Sequence, residues 1–269
     1  MPPCFSAVTP AECYGRTRDF SRPQLGAFPN QSDNFLTFHE KSHLAPLVKI
    51  PAPGSPQAIT LIELLVVVAL LALLFALTVP ALNTAVGVAK KVECLNHLKQ
   101  WGIATQLYAL NNDDFLPQDG SPNGITIEAG WYVSLPKEIG IPTYHELPWR
   151  TNPAIKIPKT IWLCPANKRR SNGINLFHYC LNRLVNGSGT GNQVKLSSIS
   201  APHTLVWLFD NGKRAAVAQE NNVHTNLHSN GANFLFLDGH ASHFVNRHYW
   251  DFSKNRGIID NATLRWQRK

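Results

Sequence analysis

Four histidines in the C-terminal part of the chain have the spacing that most invites metal chemistry: His224, His228, His240 and His243. Two pairs of imidazoles that faced one point would be able to hold a transition metal. However, His240 and His243 are three residues apart in a strand-like stretch, and an odd spacing puts two side chains on opposite faces of a strand. The residues around His224 and His228 are rich in Asn and Ser, which favours a loop over a shared helix face. We therefore predict no metal site.

His228 also invites a catalytic interpretation, because nine residues separate it from Asp238 and Gly239. The intervening run Ala232–Leu237 (ANFLFL) is apolar and predicts a central strand about 20 Å long. We expect His228 and Asp238 to lie near opposite ends of this strand and not to form a dyad. Asp238 and Gly239 predict a two-residue type I′ hairpin turn. The His228 imidazole is expected to bind backbone groups of the loop before the strand.

No other constellation indicates an enzyme. The GxSxG nucleophile elbow is absent from the sequence, and the glycine-rich segment 187–192 lacks the strand-then-helix context of a phosphate loop. Asp113, Asp114 and Asp119 are near enough in sequence to gather a calcium ion, but a helix stop and turns explain the same carboxylates. We predict a protein that is not an enzyme and uses no cofactor.

The net charge of +8 raises the question of a nucleic-acid partner. The basic residues are scattered, and their one tight cluster is Lys168, Arg169 and Arg170. Adjacent cations in a loop are typical of a solvated surface, so we predict no nucleic-acid partner. Charged residues make up only 16% of the chain, which has 17 Gly and 19 Pro. This composition favours a loop-rich globular part over a long solvated coil.

One apolar segment dominates the elements that must position these residues. Ile59–Leu82 is 24 residues long and has no polar side chain between Leu64 and Leu77. At about 1.5 Å per residue, such a helix crosses a hydrocarbon core of ~30 Å. A core helix of a soluble protein would show a polar face, and a secretory signal peptide would be shorter. The segment therefore predicts a transmembrane helix.

Glu63 is the one ionisable side chain in this segment. A carboxylate at the bilayer centre costs on the order of 2.5–3.5 kcal/mol, so it usually has a partner. Glu63 either lies at the headgroup boundary, where it costs little, or is neutralised by a cation. Cleavage of the chain just before Ile59 would create such a cation, because the new α-amino group of one subunit can pair with Glu63 of its neighbour.

The segment Ala58–Val67 (AITLIELLVV) resembles the processing and methylation signature of the prepilin family, which includes type IV pilins and type II secretion pseudopilins. The resemblance implies cleavage by a prepilin peptidase between Ala58 and Ile59, methylation of Ile59 and an assembly role for Glu63. Pro80 stands where many members have a helix-softening proline. The family most often has Gly at the position of Ala58 and Phe at the position of Ile59.

Further motifs resemble a bacterial subgroup of prepilin-like proteins that is named after a His-x9-Asp-Gly signature. The matching residues are Cys94–Gln100 (CLNHLKQ), Tyr108, Asn111–Asp114 (NNDD), Trp162–Pro165 (WLCP), His228, Asp238 and Gly239. The match covers residues 58–245 except for the middle loops. His97 stands where the subgroup has the second of two Asn residues. The resemblance implies an association with pilin processing and type II secretion, and it implies no particular chemistry.

The sequence divides into three parts. Residues 1–58 are a leader without apolar periodicity, which we expect to be disordered, removed, or not made because translation starts near Leu47. Residues 59–112 predict one long helix, half of it in the membrane and half a stalk. The stripe of the stalk that faces the rest of the protein is predicted to be Ala85, Val88, Val92, Leu95, Leu98 and Gly102.

Residues 113–269 predict a globular, β-rich head. The runs with strand character are Thr160–Leu163, His203–Phe209, Ala232–Leu237 and Ala241–Val245. The predicted fold class is α+β: a long N-terminal membrane-spanning helix continues as a stalk that packs on a mostly antiparallel sheet. The resemblance described above implies the same pilin-like layout.

Five cysteines are present, and none has CxxC or paired zinc spacing: Cys4, Cys13, Cys94, Cys164 and Cys180. Export of the head would place its cysteines in an oxidising compartment, where disulfides form. Cys94 lies on the predicted stalk, and Cys164 ends a predicted strand of the sheet that the stalk covers. We predict a Cys94–Cys164 disulfide, with Cys180 as a competing partner.

Two functions fit these features. The first is a subunit of a type II secretion pseudopilus or pilus-like filament, held in the bacterial inner membrane by one span, with its head in the periplasm or on a surface filament. Its partners would be a prepilin peptidase and other pilin or pseudopilin subunits. The second is a surface-displayed module that presents a glycan- or protein-binding head on a pilin-type anchor. The aromatic content of 10% suits sugar binding, but it also fills a core.

The processing signature predicts the mature N-terminus. Protein extracted from membranes should begin at Ile59 and carry one added methyl group, and mass spectrometry of the N-terminal peptide measures both. Residues 1–57 still attached to the membrane-extracted protein would contradict the prediction.

Overall fold

The computed structural model describes residues 58–186 and 193–268. The predicted leader lies outside the described residues except for Ala58, and so does the glycine-rich segment 187–192. The described chain is an α+β structure that combines one long apolar helix with a mixed β-sheet. We use "head" below for the described residues from 113 onward.

Helix α1 spans Leu61–Asn111 and continues through Pro80. It ends close to the predicted position because Asp113 and Asp114 have positive φ angles of 50° and 69°. Left-handed residues cannot continue a right-handed helix. The Asp114 amide donates to the carbonyl of Ala109, which closes the last turn.

The two halves of α1 have different surroundings. Residues 61–89 are exposed, whereas one face of the helix is buried from Cys94 onward. The most apolar 18-residue window of the helix has a mean hydropathy of 2.9, and none of it is buried. Within residues 58–186 and 193–268, α1 is the only helix long and apolar enough to cross a membrane. The described chain thus has one candidate membrane span.

The head contains a five-stranded sheet and one short helix within the described residues. The strands are β1 (Tyr179–Asn182), β2 (Val206–Asp210), β3 (Val217–Ala218), β4 (Gly231–Phe236) and β5 (Ala241–Val245), in the order β3-β1-β2-β4-β5. The β1–β3 pair is parallel and the other pairs are antiparallel, so the sheet is mixed. A small hairpin pairs β6 (Trp250–Asp251) with β7 (Arg256–Gly257), and α2 spans Trp131–Glu138. Short 3-10 turns lie at Tyr144–Glu146, Pro148–Arg150, Leu196–Ser198, Glu220–Asn222 and Asn246–His248.

The strand predictions were right for β2, β4 and β5, apart from strand ends, and wrong for Thr160–Leu163. Strand β5 has the predicted bounds, β4 begins one residue early, and β2 begins only at Val206. Thr160–Leu163 is not a strand but a turn, because the Leu163 amide donates to the carbonyl of Thr160 and Trp162 is buried in an aromatic cluster. Aromatic burial, not sheet pairing, explains the apolar character of this run.

The sheet is buried on both faces except at its edge strand β5. Leu208 and Leu235 belong to a core shared with α1, and Phe209 and Phe234 belong to a second core on the other side. Every residue of β2 and β4 is buried. A strand buried on both faces reads as a continuous apolar run, which is why the sequence revealed these two strands.

The predicted stripe of the stalk is wrong in its first half. Ala85, Val88 and Val92 are exposed, whereas Leu98 and Gly102 are buried as predicted. The rest of the described chain begins to cover α1 only at residue 90, so the apolar residues before it have no partner there. Trp101, which the stripe omitted, is fully buried and contacts Trp131 and Trp162 at ring-centroid distances of 5.4 and 4.7 Å.

Gly102 lies where α1 crosses the β4–β5 hairpin most closely. A Cβ atom at this position would be 2.9 Å from Leu235 Cδ1 and 3.1 Å from the carbonyl oxygen of Gly239. The neighbouring Gln106 side chain donates to the carbonyl of Leu237 at 2.9 Å. A residue without a side chain is therefore required for α1 to approach the backbone of the hairpin.

Gly102→Val should destabilise the head by about 1–3 kcal/mol, because added atoms must displace backbone of the hairpin. Gly87→Val is the matched control on the same helix, since no atom lies within 4 Å of a Cβ at that position. Thermal unfolding of the detergent-solubilised chain, followed by near-UV circular dichroism, measures both. Equal transition temperatures for the two variants would contradict the close-approach argument.

Candidate functional site

A disulfide joins α1 to the head. Cys94 and Cys164, the pair that the sequence predicted, are bonded, with their Cα atoms 5.1 Å apart. Cys164 lies in a turn, and not at the end of a strand as expected. Cys180 is free and buried, so it does not compete for Cys94. Cys4 and Cys13 lie outside the described residues.

His228 lies against this disulfide in the interior. Its Nε2 atom is 3.2 Å from Cys164 Sγ and 3.3 Å from Asp210 Oδ2, and the side chains of His228 and Asp210 are 1% and 0% exposed. The predicted contact of this imidazole with backbone is wrong. It is the backbone amide of His228 that binds the loop, by donating to the carbonyl of Gly231.

Strand geometry brings Asp210 and Asn233 to the same place. Asp210 is the last residue of β2 and follows Phe209, whose side chain faces away from α1, so alternation turns Asp210 toward α1. Asn233 occupies the equivalent position on β4 and donates its backbone amide to Asp210 Oδ2 at 2.7 Å. The Asn233 amide oxygen lies 3.2 Å from His243 Nδ1.

Several polar atoms of this group are buried without a partner. Within the described residues, Asp210 Oδ1, His228 Nδ1 and Asn233 Nδ2 have no hydrogen bond. Buried polar atoms of this kind are rare in proteins, and each one requires an explanation. We call the set Cys94, Cys164, Asp210, His228 and Asn233 the disulfide–histidine cluster.

Sequence reasoning missed Asp210. The available signal was a carboxylate that directly closes the apolar run HTLVWLF, followed by Asn211 and Gly212. An acidic residue at the end of a strand buried on both faces is expensive unless it has a specific partner. The structure gives it two, His228 and the amide of Asn233.

Asp238 is separate from the cluster. Its Oδ1 atom accepts from the backbone amide of His240 and lies 2.6 Å from His240 Nδ1. The prediction that His228 and Asp238 do not pair agrees with these contacts. The turn type was predicted wrongly: Gly239 has a φ of 93°, Asp238 has no positive φ, and the Gly239 amide donates to Phe236. This is a three-residue loop in which a left-handed glycine follows the turn.

Each of the four histidines has different contact partners. His240 stacks on Phe236, and His243 contacts Asn233. His224 Nδ1 accepts from the amide of Asn226. Only His228 reaches the disulfide.

The three carboxylates considered for calcium also have different partners. Asp114 accepts from the Ser197 amide at 3.0 Å, and Asp119 accepts from the Asn186 side chain at 2.7 Å. Asp113 is exposed. Burial raises the pKa of Asp119 to about 7, whereas hydrogen bonds from Ser197 lower the pKa of Asp114.

A cavity of about 430 Å³ reaches Cys164 from the surface. Its lining includes Glu93, His97, Lys168, Arg170 and His178. His97, the residue that departs from the subgroup pattern, is buried with its Nδ1 atom 3.2 Å from the Tyr179 hydroxyl. Lys168 and Arg170 are exposed, as predicted for a solvated loop, and they also line this cavity.

His178 is a neutral group of this wall. Burial lowers the pKa of His178 to about 4. Its Nε2 atom lies 3.2 Å from the carbonyl of Arg169, so Nε2 carries the proton and Nδ1 is left as an acceptor without a partner. The cavity wall therefore combines exposed cationic side chains with a buried, neutral imidazole.

The predicted processing and assembly residues lie at the exposed start of α1. Ala58 and Ile59 precede the helix, and Thr60 caps it. Glu63 Oε2 accepts from the Thr60 amide and hydroxyl, both at 2.8 Å, while the Glu63 amide donates to the Thr60 hydroxyl. This capping box was not predicted, although its Thr-x-x-Glu pattern is plain in the sequence.

Comparison with known protein families, curated proteins and solved structures finds no match to this chain.

Asp119→Asn should stabilise the head at pH 8 and have little effect near pH 4. The folded-state pKa of about 7 exceeds the value near 3.9 of an unfolded chain, so ionisation of Asp119 costs stability as pH rises between these values. The amide removes this cost, on the order of 1–4 kcal/mol, and still accepts from Asn186.

Asp114→Asn is the matched control with the opposite sign. Its carboxylate is stabilised when ionised and is still largely ionised near pH 4, so the substitution should lower the unfolding temperature at both pH 8 and pH 4 and lose this effect only at lower pH. Calorimetry at both pH values measures the two variants. A stabilisation by Asp119→Asn that does not change with pH would contradict the burial argument.

Proposed function

We propose that the chain is a subunit of a type II secretion pseudopilus or pilus-like filament, anchored in the bacterial inner membrane by α1, with its head outside the cytoplasm. The observation that carries this proposal is the division of α1 into an exposed apolar half and a half packed on the head. A prepilin peptidase and other pilin or pseudopilin subunits are its proposed partners. Nucleic acid is not among them.

The exposed half of α1 needs an apolar environment. Its side chains include Leu61, Leu65, Leu73, Phe75 and Leu77, each more than half exposed. Full burial of one such side chain is worth about 1.5–3 kcal/mol. Lipid provides this environment for a single subunit, and the helices of neighbouring subunits provide it in a filament. Because α1 is one continuous helix, it can move from lipid into a filament without unfolding.

Glu63 fits the second surrounding. In the isolated chain its carboxylate is bound by Thr60 at the helix start. Cleavage before Ile59 would place a charged amino group one residue from that cap. In a filament, the amino group of one subunit would neutralise Glu63 of the next, which removes the cost of a lone charge among apolar helices.

The second candidate function is a surface-displayed binding module, and the cavity beside Cys164 favours it. A cavity of about 430 Å³ is within the range of small-molecule sites. Lys168 and Arg170 would attract an anionic ligand. The two functions do not conflict, because the cavity lies between the head and the packed half of α1, whereas the proposed assembly surface lies on the exposed half of α1.

Glu63→Gln should leave membrane insertion intact and abolish incorporation into filaments, because the neutral amide cannot pair with an amino group. The host cell must carry the prepilin peptidase and the assembly system. Membrane fractionation measures insertion, and immunodetection in sheared filaments measures incorporation.

Glu93→Gln is the matched control, since this carboxylate lies on the same helix within the head-packed half. It should assemble normally. Normal incorporation of the Glu63→Gln chain would contradict the pairing, and absence of the unmodified chain from filaments would contradict the proposed function itself.

A further inference from the structure

We infer that, when the Cys94–Cys164 disulfide is reduced, Cys94, Cys164, His228 and Asp210 bind one zinc ion. The same two cysteines would then close either a disulfide or a metal centre. This inference concerns the interior of the head and goes beyond the proposed function, on which it does not depend.

Three of the four proposed donor atoms already converge. The sulfur atoms of Cys94 and Cys164 and a ring nitrogen of His228 all lie within 4.8 Å of one another. The His228 Nε2 atom lies 3.2 Å from Cys164 Sγ and 3.3 Å from Asp210 Oδ2. Bonds of about 2.0–2.3 Å in a tetrahedral zinc site place neighbouring donors roughly 3.3–3.8 Å apart. The nitrogen–oxygen separation fits this spacing as it stands. The two sulfurs must move apart after reduction, and the Asp210 carboxylate must turn toward them, since it lies outside the group of donor atoms within 4.8 Å of one another.

The chemistry of the donors also fits zinc. Two thiolates, one imidazole and one carboxylate form a set of N, S and O ligands that zinc accepts in fourfold coordination. In the disulfide form the Nε2 atom must carry a proton to face the Asp210 carboxylate. In the dithiol form both sulfurs and Nε2 carry protons. Zinc binding therefore releases the two thiol protons and moves the imidazole proton from Nε2 to Nδ1, which has no hydrogen-bond partner.

The surroundings meet two further requirements of a metal site. The carboxylate is oriented by a second group, because the Asn233 amide donates to Asp210 Oδ2 at 2.7 Å. Access from outside is provided by the cavity that Cys164 lines.

The sequence positions of the ligands explain why motif spacing did not reveal the site. Its ligands come from α1, from the turn around Cys164, from the end of β2 and from the loop before β4. No two of them are near in sequence, whereas zinc motifs are identified by pairs of ligands a few residues apart. The inference revises the expectation that the chain holds no metal.

The interconversion balances. A dithiol reductant supplies two electrons and two protons, which convert the disulfide into two thiols while the reductant becomes a disulfide. Zinc then displaces both thiol protons as it binds. In an oxidising environment the disulfide form prevails, so the zinc form belongs to reducing conditions.

The test uses the full chain in detergent micelles, with Cys4→Ser and Cys13→Ser to remove the two cysteines near the N-terminus. The protein is reduced with a phosphine, freed of metal with a chelator, and given zinc or cobalt. Elemental analysis after gel filtration should find one zinc per reduced chain and none in the oxidised chain. Cobalt should give the charge-transfer absorption of thiolate ligands. No zinc bound by the reduced chain would overturn the inference.

Ligand variants locate the site. His228→Ala should weaken zinc binding by at least about tenfold, and Asp210→Asn should weaken it less, because a neutral amide oxygen is a poorer ligand. Cys180→Ala is the matched control and should bind zinc as the parent does. Unchanged affinity in His228→Ala, or a loss in Cys180→Ala equal to that in His228→Ala, would overturn the assignment.

Loss of fold is separated from loss of a ligand. Each variant is first oxidised, and thiol counting must show that the Cys94–Cys164 disulfide forms, since this requires the head to fold. If the reduced parent chain loses its near-UV circular dichroism, zinc should restore it, and failure of zinc to do so would contradict the inference.

Discussion

The packing of the C-terminal half of α1 on the sheet is the interaction on which the rest of the head depends. Trp101 is its centre, because it contacts Trp131 and Trp162 and donates its indole N–H to the carbonyl of Ile161. One turn further on, the Thr105 hydroxyl accepts from the indole of Trp207 on β2. These contacts tie α2, the Cys164 turn and the sheet to one helix face, so the loops of the head have a common support.

A consequence of this arrangement is that polar groups on the α1 face of the sheet become enclosed. Asp210 and Asn233 stand on the two central strands and face α1, where water cannot reach them. The polar side chains of β2 and β4 have little room on the opposite face of the sheet, because that face is filled by Phe209, Phe234 and Trp266. The fold therefore maintains a buried carboxylate beside His228 and the disulfide at some expense in stability. Such an expense is typical of sites with a specific task.

The sequence predicted those parts of the fold that depend on local pattern. The long helix, its stop at the paired aspartates and the β4–β5 hairpin follow from hydropathy, φ preference and turn chemistry, each readable within a few residues. The Cys94–Cys164 pair was also predicted, because helix and sheet had to meet and export permits a disulfide. The position of the buried face of α1 was not, since it depends on where the head begins to cover the helix.

The cluster around His228 was missed for a different reason. Its members are distant in sequence, and strand alternation that brings Asp210 toward α1 is hidden when both faces of a strand are apolar. Helix α2 and β1 were missed as well. Helix α2 is only eight residues long and has a proline inside, and its position is determined by the tertiary contacts of Trp131 and Tyr132. Tertiary context decides such short elements more than their own propensity does.

The disulfide also determines how the chain would respond to mechanical load. A force applied along α1 enters the head at Cys94 and passes through the covalent bond to Cys164, so the intervening segment, with a sequence separation of 70 residues, carries no tension. At about 3.5 Å per residue, the disulfide prevents the extension of roughly 240 Å of chain. The tryptophan cluster and α2 lie inside that shielded loop, whereas β2 and β4 lie outside it. Under such a force, extension would thus begin in the sheet and not at the contact between α1 and the head.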